Sequence, residues 1–328
     1  MRAWSEMQSS KIYQSIQGDL DRVEDLIRDC LVIEDERIKP VSNCLLGASG
    51  KRLRPVFVLL SSRIGGQRGE RAIDLAAAIE LIHTASLVHD DVIDKADVRR
   101  KRSTVNATWG NEVSVLFGDY IYSRAFYLLG RIEKPEILAI LSRATSVMCE
   151  GEMIQIAERG HWELSETAYL SIIEKKTASL FAACCESGAL LGGADAEQVK
   201  ALSRYGTCFG IAFQILDDCL DMIGEEKDLG KSLGSDLEGG KTTLPLILLL
   251  NALPEKEKQK VMTLLESRDR MASQAQIREM AQEYGAMDRS LEKASAYVEQ
   301  AKEEVAALDE CSPKEGFLNL ADMLFAGA

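Results

Sequence analysis

Two short acidic clusters of identical spacing stand out in this sequence of 328 residues. DDVID at 90–94 and DDCLD at 217–221 both have the pattern Asp-Asp-x-x-Asp, and both lie within apolar sequence. Residues three and four apart are neighbours on a helix, so the first and last aspartates of each cluster share one face. Adjacent like charges repel, and apolar surroundings remove their hydration. A bound cation would offset both the repulsion and the lost hydration, so we expect one at these clusters. Carboxylate oxygens together with substrate phosphates are typical ligands of Mg²⁺.

Basic residues close to both clusters supply the positive charge that a phosphate site needs. They occur in GKRLRP at 50–55, in RRKR at 99–102, at Lys176, and at Lys231 and Lys241 in or beside the glycine-rich segment 224–240. Arginine binds phosphate oxygens in a bidentate manner, whereas lysine acts as a point charge. Taken alone, either acidic cluster is equally typical of a solvated helix face, and a basic quartet is typical of a surface patch. Two clusters of one spacing, each near basic residues, favour a metal site for phosphates instead.

Helical periodicity runs through almost the whole chain and predicts the elements that position these residues. Only six prolines interrupt the sequence, and proline breaks helix interiors. No window alternates polar and apolar residues for long enough to predict a sheet. The periodic segments are Ala72–Val92, Val113–Leu129, Glu136–Ala157, Ser165–Leu191 and Ala196–Ile223. We therefore predict an all-α fold in a single domain over 1–328, with the first of these helices buried because it is apolar nearly all round.

Composition argues against two classes of protein. The formal net charge of −13 disfavours nucleic-acid binding, since phosphate contacts need clustered lysine and arginine. No apolar run reaches the ~18 residues of a membrane span, and the amino-terminal residues are too polar for a signal segment. We expect a cytoplasmic protein without a membrane span, whose eight cysteines are reduced thiols rather than disulfides.

Over nearly its whole length the chain resembles the trans-polyprenyl diphosphate synthases, and within them it is similar to the long-chain, octaprenyl-type branch. The resemblance rests on the acidic clusters and the motifs around them: GKRLRP (50–55), ELIHTASLVHDDVIDKADVRR (80–100), GNEVSVLFGDYIYSRAF (110–126), GEMIQ (151–155), KTASLF (176–181) and FGIAFQILDDCLDMIGEEKDLGKSLGSDLEGGKTTLPL (209–246). One position departs from the family pattern. Lys101 stands where a glycine commonly follows the arginine pair, but this change removes no charged ligand.

The resemblance implies long, mostly antiparallel helices around a deep central cavity, with the acidic motifs facing each other across its mouth. It implies that Mg²⁺ bridges these motifs to an allylic diphosphate, that the carbon–oxygen bond ionises, and that isopentenyl diphosphate attacks the allylic cation. The implied products are heptaprenyl to octaprenyl diphosphates for quinone side chains. The resemblance further implies a homodimer, and we expect a peripheral contact with a membrane when the product is released.

Matching positions give each motif residue an expected role. The expected metal ligands are Asp90, Asp94 and Asp217, supported in catalysis by Asp91, Asp218 and Asp221. Isopentenyl diphosphate is expected to bind at Lys51, Arg54, His83 and Arg100. The allylic diphosphate is expected to bind at Arg99, Lys176, Thr177, Gln214, Lys231 and Lys241, with Lys176 also catalytic.

Helix geometry independently supports two of these residues. His83 lies seven residues before Asp90 and shares its helix face. Gln214 lies one turn before the second cluster, where its amide oxygen can point towards a cation. For His89 and His161 no pattern indicates a ligand, so a structural role is the simpler interpretation.

Product length is predicted from the residues that precede Asp90. Ala85 and Ser86, five and four positions earlier, are small, whereas short-chain family members carry bulky side chains there. We therefore expect elongation to continue past this level to a floor at Phe126 or Tyr127.

Three alternatives stay open at this point: a shorter-chain geranylgeranyl synthase, a class I terpene cyclase, and a non-catalytic subunit that binds a partner synthase. GKRLRP together with Arg100 argues against the cyclase, because cyclases generally lack the isopentenyl diphosphate site. The intact acidic motifs argue against the non-catalytic subunit.

Overall fold

The computed structural model describes residues 11–46, 52–66, 69–99, 101–223, 234–267, 270–309 and 311–325, and it consists almost wholly of helices in these ranges. Three residues with predicted roles, Lys51, Arg100 and Lys231, lie outside the described residues, as do residues 224–233 of the glycine-rich segment.

The first half of the chain contains seven described helices and one hairpin. The helices are α1 (Lys11–Leu31), α2 (Lys39–Leu46), α3 (Leu53–Ile64), α4 (Glu70–Ile93), α5 (Val105–Trp109), α6 (Asn111–Ile132) and α7 (Pro135–Ala157). The hairpin lies between α4 and α5 and pairs two short antiparallel strands, β1 (Val98–Arg99) and β2 (Arg102–Ser103).

The second half begins with α8 (Glu166–Ile173), which runs through a π-helical turn (Glu174–Ala178) into α9 (Ser179–Gly192). The remaining described helices are α10 (Ala196–Ile223), α11 (Ser235–Glu238), α12 (Leu244–Ala252), α13 (Glu255–Leu265), α14 (Arg270–Glu283), α15 (Ala286–Ala306) and α16 (Ser312–Met323).

The all-α prediction is confirmed, and α4, α6, α7 and α10 lie where the periodicity predicted them. Two features differ from the prediction. The hairpin was not predicted, because each of its strands has only two residues and shows no alternating pattern in the sequence. The segment 165–191, predicted as one regular helix, contains the π-helical turn. Both features lie at the candidate site, since one carries Arg99 and the other carries Lys176 and Thr177.

Helix α4 is the central core element, and it packs against α1, α3 and α6. Leu75, Ile79 and Leu81 are fully buried, and the three alanines at 76–78 allow neighbouring helices to approach closely. By length and composition α4 could cross a membrane, but 72% of its apolar window is buried inside the fold. Such burial is typical of a core helix.

An aromatic cluster joins α3, α9, α10 and α16. The Phe57 ring lies 5.3 Å from that of Phe181 and 4.7 Å from that of Phe209, centroid to centroid. Helix α9 reaches α3 because Gly188 has no side chain: a Cβ there would lie 2.7 Å from the carbonyl oxygen of Val58. This packing holds α9, and therefore the π-helical turn before it, against the core.

Candidate active site

The first acidic motif lies at the carboxyl end of α4, where Asp94 is the C-cap residue. Asp91 is buried and accepts a hydrogen bond from Arg99 Nε at 2.6 Å. This ion pair ties the hairpin to the helix end. Asp90 forms no hydrogen bond or ion pair with the described part of the chain. Asp91 therefore has a structural partner, whereas Asp90 has no direct partner among the described residues.

The second acidic motif lies at the carboxyl end of α10. Asp218 is buried and accepts hydrogen bonds from the Tyr169 hydroxyl at 2.7 Å and from Gln214 Nε2 at 2.8 Å. Asp217, by contrast, is exposed. Asp218 therefore anchors the motif to α8, while Asp217 presents its carboxylate at the surface of the site.

Lys241 and Asp236 connect the two motifs. Asp94 accepts hydrogen bonds from Arg159 Nη2 at 2.6 Å and from Lys241 Nζ at 3.3 Å. Lys241 Nζ also lies 3.4 Å from a carboxylate oxygen of Asp236, and the backbone N–H of Asp236 donates to Asp221 at 3.2 Å. The ends of α4 and α10 therefore border one charged opening, which is called the mouth below.

The π-helical turn 174–178 delivers Lys176 to the same mouth. Lys176 Nζ donates to Gln155 Oε1 at 2.8 Å and forms an ion pair with Glu152. The turn can approach α7 because Gly151 lacks a side chain: a Cβ there would lie 2.6 Å from the backbone nitrogen of Lys176. Extra-wide turns of this kind occur frequently at functional sites.

Thr177 lies next to Lys176 and bonds to Gln214. The Thr177 hydroxyl donates to Gln214 Oε1 at 2.7 Å, and the Gln214 amide nitrogen donates to Asp218. The expectation that the Gln214 oxygen points towards a cation stays a prediction, because this oxygen accepts the hydrogen bond from Thr177 and has a second lone pair. In this structure Gln214 links the π-helical turn to the second acidic motif.

Burial raises the pKa of two carboxylates of the mouth, Asp90 and Asp218, and so favours their neutral forms. Loss of hydration raises the pKa of Asp90 to about 6, with Lys176 opposing the shift and Glu152 adding to it. Burial also raises the pKa of Asp218 well above its usual value, and the negative charge of Asp236 adds to the effect. Both groups therefore hold their negative charge at a free-energy cost that a nearby cation would relieve.

Asp94 and Lys241 behave in the opposite way because they are paired. Burial favours the neutral form of each, but the two charges outweigh it. Lys241, Lys176 and Arg159 together lower the pKa of Asp94, while Asp236 and Asp94 raise the pKa of Lys241. This part of the mouth is therefore fully ionised at neutral pH.

A cavity of about 80 Å³ lies between α1, α2, α4 and the hairpin. His83 lines it, together with Asp91 and Arg99 from the hairpin side. Arg52, at the start of α3, closes the cavity by bridging Glu24 at 2.8 Å and Glu80 at 2.8 Å. This side of the site is where the resemblance places isopentenyl diphosphate.

Arg54 follows within the same basic segment. Its guanidinium carbon lies 4.7 Å from the ring centroid of Phe181, a geometry in which the ring face attracts the cation. The preceding Arg52 has φ +48°, in the left-handed region, so the chain turns sharply just before α3 begins.

The departure at Lys101 lies at the turn of the hairpin. Lys101 has φ +62°, a conformation that glycine adopts without steric cost and other residues adopt rarely. The glycine that the family commonly has here is the residue that suits this backbone. Lys101 keeps the turn at some cost in stability.

The predicted chain-length residues fall in different environments. Ala85 is fully buried, whereas Ser86 is half-buried and lies one turn before Asp90 on the same helix face. Phe126 and Tyr127 are 52% and 59% exposed. The prediction that Phe126 or Tyr127 forms the floor of the cavity is wrong for the single chain, because α6 directs both rings away from the core.

Both remaining histidines have local partners. His89 lies against Gly118, with Nε2 3.2 Å from the carbonyl oxygen of Val115. His161 Nδ1 lies 3.0 Å from a carboxylate oxygen of Glu158. These contacts agree with the structural role expected for both.

Four residues of the mouth were not assigned from sequence: Glu152, Arg159, Tyr169 and Asp236. The contacts of Glu152, Arg159 and Tyr169 join segments that lie apart in the chain, as between Arg159 and Asp94, and no periodic spacing indicates them. Glu152 and Asp236 did carry a signal, since they belong to the quoted motifs GEMIQ (151–155) and 209–246.

The donor set of the mouth fits a divalent cation. In the described ranges, no three acidic, histidine or cysteine side chains are already grouped to hold a metal ion. The reason is visible at Asp94, whose oxygens face two cations of the chain itself. Asp90 is a half-buried carboxylate with no direct partner among the described residues. Glu152 has buried oxygens that accept no hydrogen bond from those residues despite its ion pair with Lys176. Oxygen donors of this kind suit Mg²⁺.

We predict that Asp90→Asn stabilises the metal-free protein above pH 6 and changes its stability little near pH 4. Because the pKa of Asp90 rises from 3.8 to about 6 on folding, the folded protein binds the proton more tightly than the unfolded chain. The wild type therefore loses stability as the pH rises between these values. The gain from the asparagine is at most about 3 kcal/mol.

Urea titrations at pH 4 to 8, with chelator present, measure the effect. Asp309→Asn is the matched control, because it makes the same change at an exposed residue outside the mouth. Parallel stability curves for the wild type and Asp90→Asn at every pH would contradict the prediction.

Known proteins with similar sequences are prenyl diphosphate synthases of several product lengths. The chain is 36% identical over 329 residues to the short chain isoprenyl diphosphate synthase of Methanothermobacter thermautotrophicus, covering 99% of this chain and 96% of that protein. It is 35% identical to the octaprenyl diphosphate synthase of Haemophilus influenzae, covering 96% of both chains. Identity reaches 41% with heptaprenyl diphosphate synthase component 2 of Geobacillus stearothermophilus, over 75% of this chain and 77% of that one.

The fold is likewise shared with solved structures. A polyprenyl synthase from Caulobacter crescentus, crystallised with calcium and isoprenyl diphosphate, superposes with a TM-score of 0.90 at 36% identity, covering 95% of this chain and 96% of that one. The polyprenyl synthetase family profile matches residues 35–284. With the charged mouth formed at the ends of α4 and α10, these similarities show that the chain belongs to the polyprenyl synthetase family and is a prenyltransferase.

Proposed function

We propose that the protein is a long-chain trans-polyprenyl diphosphate synthase. It condenses isopentenyl diphosphate head-to-tail (1'-4) onto an allylic diphosphate such as farnesyl diphosphate, and it produces heptaprenyl to octaprenyl diphosphate for quinone side chains. The observation that carries the proposal is the convergence of both acidic motifs, through Lys241 and Asp236, on one mouth.

In this proposal Asp90, Asp94 and Asp217 hold the metal ions. Two observations support the assignment: Asp90 has no direct partner among the described residues, and Asp217 is exposed. When bound, Mg²⁺ neutralises the charge that develops on the departing diphosphate. Asp91 and Asp218 support the motifs through their hydrogen bonds to Arg99 and Tyr169.

The chain's own residues orient and stabilise the reacting groups. Lys176 and Lys241 lie at the mouth beside Asp90 and Asp94, where they can bind the allylic diphosphate oxygens as its carbon–oxygen bond breaks. His83 lines the cavity on the isopentenyl side. The double bond of isopentenyl diphosphate attacks the allylic carbocation, a new carbon–carbon bond forms, and the departing diphosphate accepts the proton that is lost.

Product length is the finer part of the proposal. The small side chains of Ala85 and Ser86 favour a long product, because neither narrows the path below Asp90. The relatives include short-chain, heptaprenyl and octaprenyl enzymes, so the length proposed for this chain depends on these two residues.

A second candidate function has one observation in its favour. The relative with 41% identity is named as component 2 of a heptaprenyl diphosphate synthase. By analogy, this chain would carry the acidic motifs of a two-component enzyme and would need a different subunit for full activity.

We also propose that the chain forms a homodimer through an exposed apolar face of α6. Leu116 is 69% exposed and Tyr127 is 59% exposed. They lie eleven residues apart, which is about three helical turns, and so share a face. Val115 and Phe126 repeat this spacing beside them. Exposed apolar faces of this kind indicate a protein contact, and a second copy would cover the rings that the single chain leaves exposed.

We predict that the purified chain releases diphosphate from farnesyl diphosphate and Mg²⁺ only when isopentenyl diphosphate is added. Asp217→Ala lowers the turnover at least about 100-fold, because one charge-stabilising group is lost at the reacting centre. The exposed Asp309→Ala is the control and keeps normal turnover.

Release without isopentenyl diphosphate would indicate a cyclase. No release by the chain alone, but release after a second component is added, would support the two-component candidate. Normal turnover of Asp217→Ala would contradict the metal assignment.

We predict that Ser86→Phe shortens the product from heptaprenyl–octaprenyl length to about farnesyl or geranylgeranyl length. Ser86 is the better test than Ala85, because a ring at a fully buried alanine would overpack the core at a cost of about 1–3 kcal/mol. Ser86→Ala is the volume-conserving control. Chromatography of the dephosphorylated products measures the effect, and full-length product from Ser86→Phe would show that the chain grows along another path.

We predict a mass of about 72 kDa by light scattering, twice the 36.2 kDa of one chain. Leu116→Glu shifts this mass towards the monomer, because a buried carboxylate in an apolar interface is costly. Ile38→Glu alters another exposed apolar residue and leaves the dimer intact. A wild-type monomer, or a dimer in Leu116→Glu, would argue against this face.

A further inference from the structure

Arg159 lies in the turn directly after α7 and reaches across the mouth to the first acidic motif. Its Nη2 atom donates to Asp94 Oδ1 at 2.6 Å, while Lys241 Nζ lies 3.3 Å from Asp94 Oδ2. Both oxygens of Asp94 are therefore held by cations of the chain. A metal ion that binds Asp94 therefore competes with these two cations for the same oxygens.

Two hydrogen bonds hold the Arg159 segment beside the Lys241 segment. The backbone N–H of Gly160 donates to the carbonyl oxygen of Gly240 at 2.8 Å, and the Thr242 hydroxyl donates to the carbonyl oxygen of His161 at 3.0 Å. Arg159 is therefore attached to the same framework as Lys241. Its side chain can change partners at the mouth without a change in the position of its backbone.

The guanidinium of Arg159 has hydrogen-bonding capacity beyond Asp94. An arginine carries five N–H donors in a planar fork that matches phosphate oxygens. The Nε atom is buried and has no acceptor among the described residues. A buried donor without a partner is unfavourable, so an anion entering the mouth would gain an available donor. The side chain is 27% exposed, which gives such an anion access.

We propose that Arg159 exchanges partners during ligand binding. In the ligand-free protein it neutralises Asp94 in place of a metal ion; when metal and diphosphate enter together, it leaves Asp94 and binds diphosphate oxygens. The proposal rests on the proposed function, because it takes a diphosphate as the ligand of the mouth. It adds Arg159 to the residues that determine how tightly the ligand binds.

Partner exchange couples the two ligands energetically. In the proposed exchange, a metal ion alone breaks the Arg159–Asp94 pair and leaves the guanidinium without that partner. When diphosphate enters with the metal ion, the same pair breaks, but Arg159 gains the diphosphate oxygens as new partners. Each ligand therefore binds more tightly in the presence of the other, and the coupling is reciprocal.

Isothermal titration calorimetry with Mn²⁺ and inorganic diphosphate tests the exchange. We expect Arg159→Gln to bind Mn²⁺ alone more tightly than the wild type, because Asp94 then has one competitor fewer. At saturating Mn²⁺ the same variant binds diphosphate about tenfold or more weakly, which is the effect of losing a charge-assisted hydrogen bond. Arg159→Lys, which keeps the charge without the fork, gives intermediate values for both.

Arg143→Gln is the matched control. Arg143 lies on α7, pairs with Glu186 at 3.3 Å and is 66% exposed, so its loss leaves both affinities unchanged. Thermal unfolding of each variant shows whether it folds, and Arg159→Lys provides the test if Arg159→Gln does not.

The outcomes separate this proposal from the proposed function. If the wild type binds no diphosphate in the presence of Mn²⁺, the proposed function fails. If the wild type binds both ligands but Arg159→Gln shows unchanged affinities, or weaker binding of Mn²⁺ alone, partner exchange is overturned while the proposed function stands.

Discussion

The charge balance at the carboxyl ends of α4 and α10 is the constraint on which the mouth depends. Both acidic motifs lie where a helix dipole already places partial negative charge, so the carboxylates are disfavoured by one another and by the backbone. Cations from four separate segments offset this cost: Arg99 from the hairpin, Arg159 from the turn after α7, Lys176 from the π-helical turn, and Lys241 from the segment before α12. Among the described residues, Asp90 has no direct partner in this balance.

The surrounding structure brings these four cations to one place. Gly188 allows α9 to pack against α3, and Gly151 allows α7 to approach the π-helical turn, so that Lys176 and Thr177 reach the mouth together. The buried Asp218, held by Tyr169 and Gln214, fixes the end of α10. A buried acidic cluster lowers the stability of a protein, and such local conflicts are expected where function requires them.

The features that depend on local sequence were predictable. The apolar composition of α4 predicted its burial, and the spacing of the two Asp-Asp-x-x-Asp motifs predicted a cation site. The features that depend on distant contacts were not. Nothing near Arg159 indicates Asp94, 65 residues away, and the amide of Gln214 turns to Thr177 because the π-helical turn, itself unpredicted, brings that hydroxyl within 2.7 Å. Phe126 was assigned to the floor from its position in the sequence, but the packing of α6 leaves it 52% exposed.

The central claim is that carboxylates from both acidic motifs hold divalent cations that also contact a diphosphate. Crystals grown with Mn²⁺ and inorganic diphosphate, measured at the manganese absorption edge, would locate these ions directly. The account predicts anomalous peaks within about 2.6 Å of carboxylate oxygens of Asp90, Asp94 and Asp217, the range typical of hard divalent cations. Bound diphosphate without such peaks, or peaks only at other residues with Asp94 still held by Arg159 and Lys241, would contradict it.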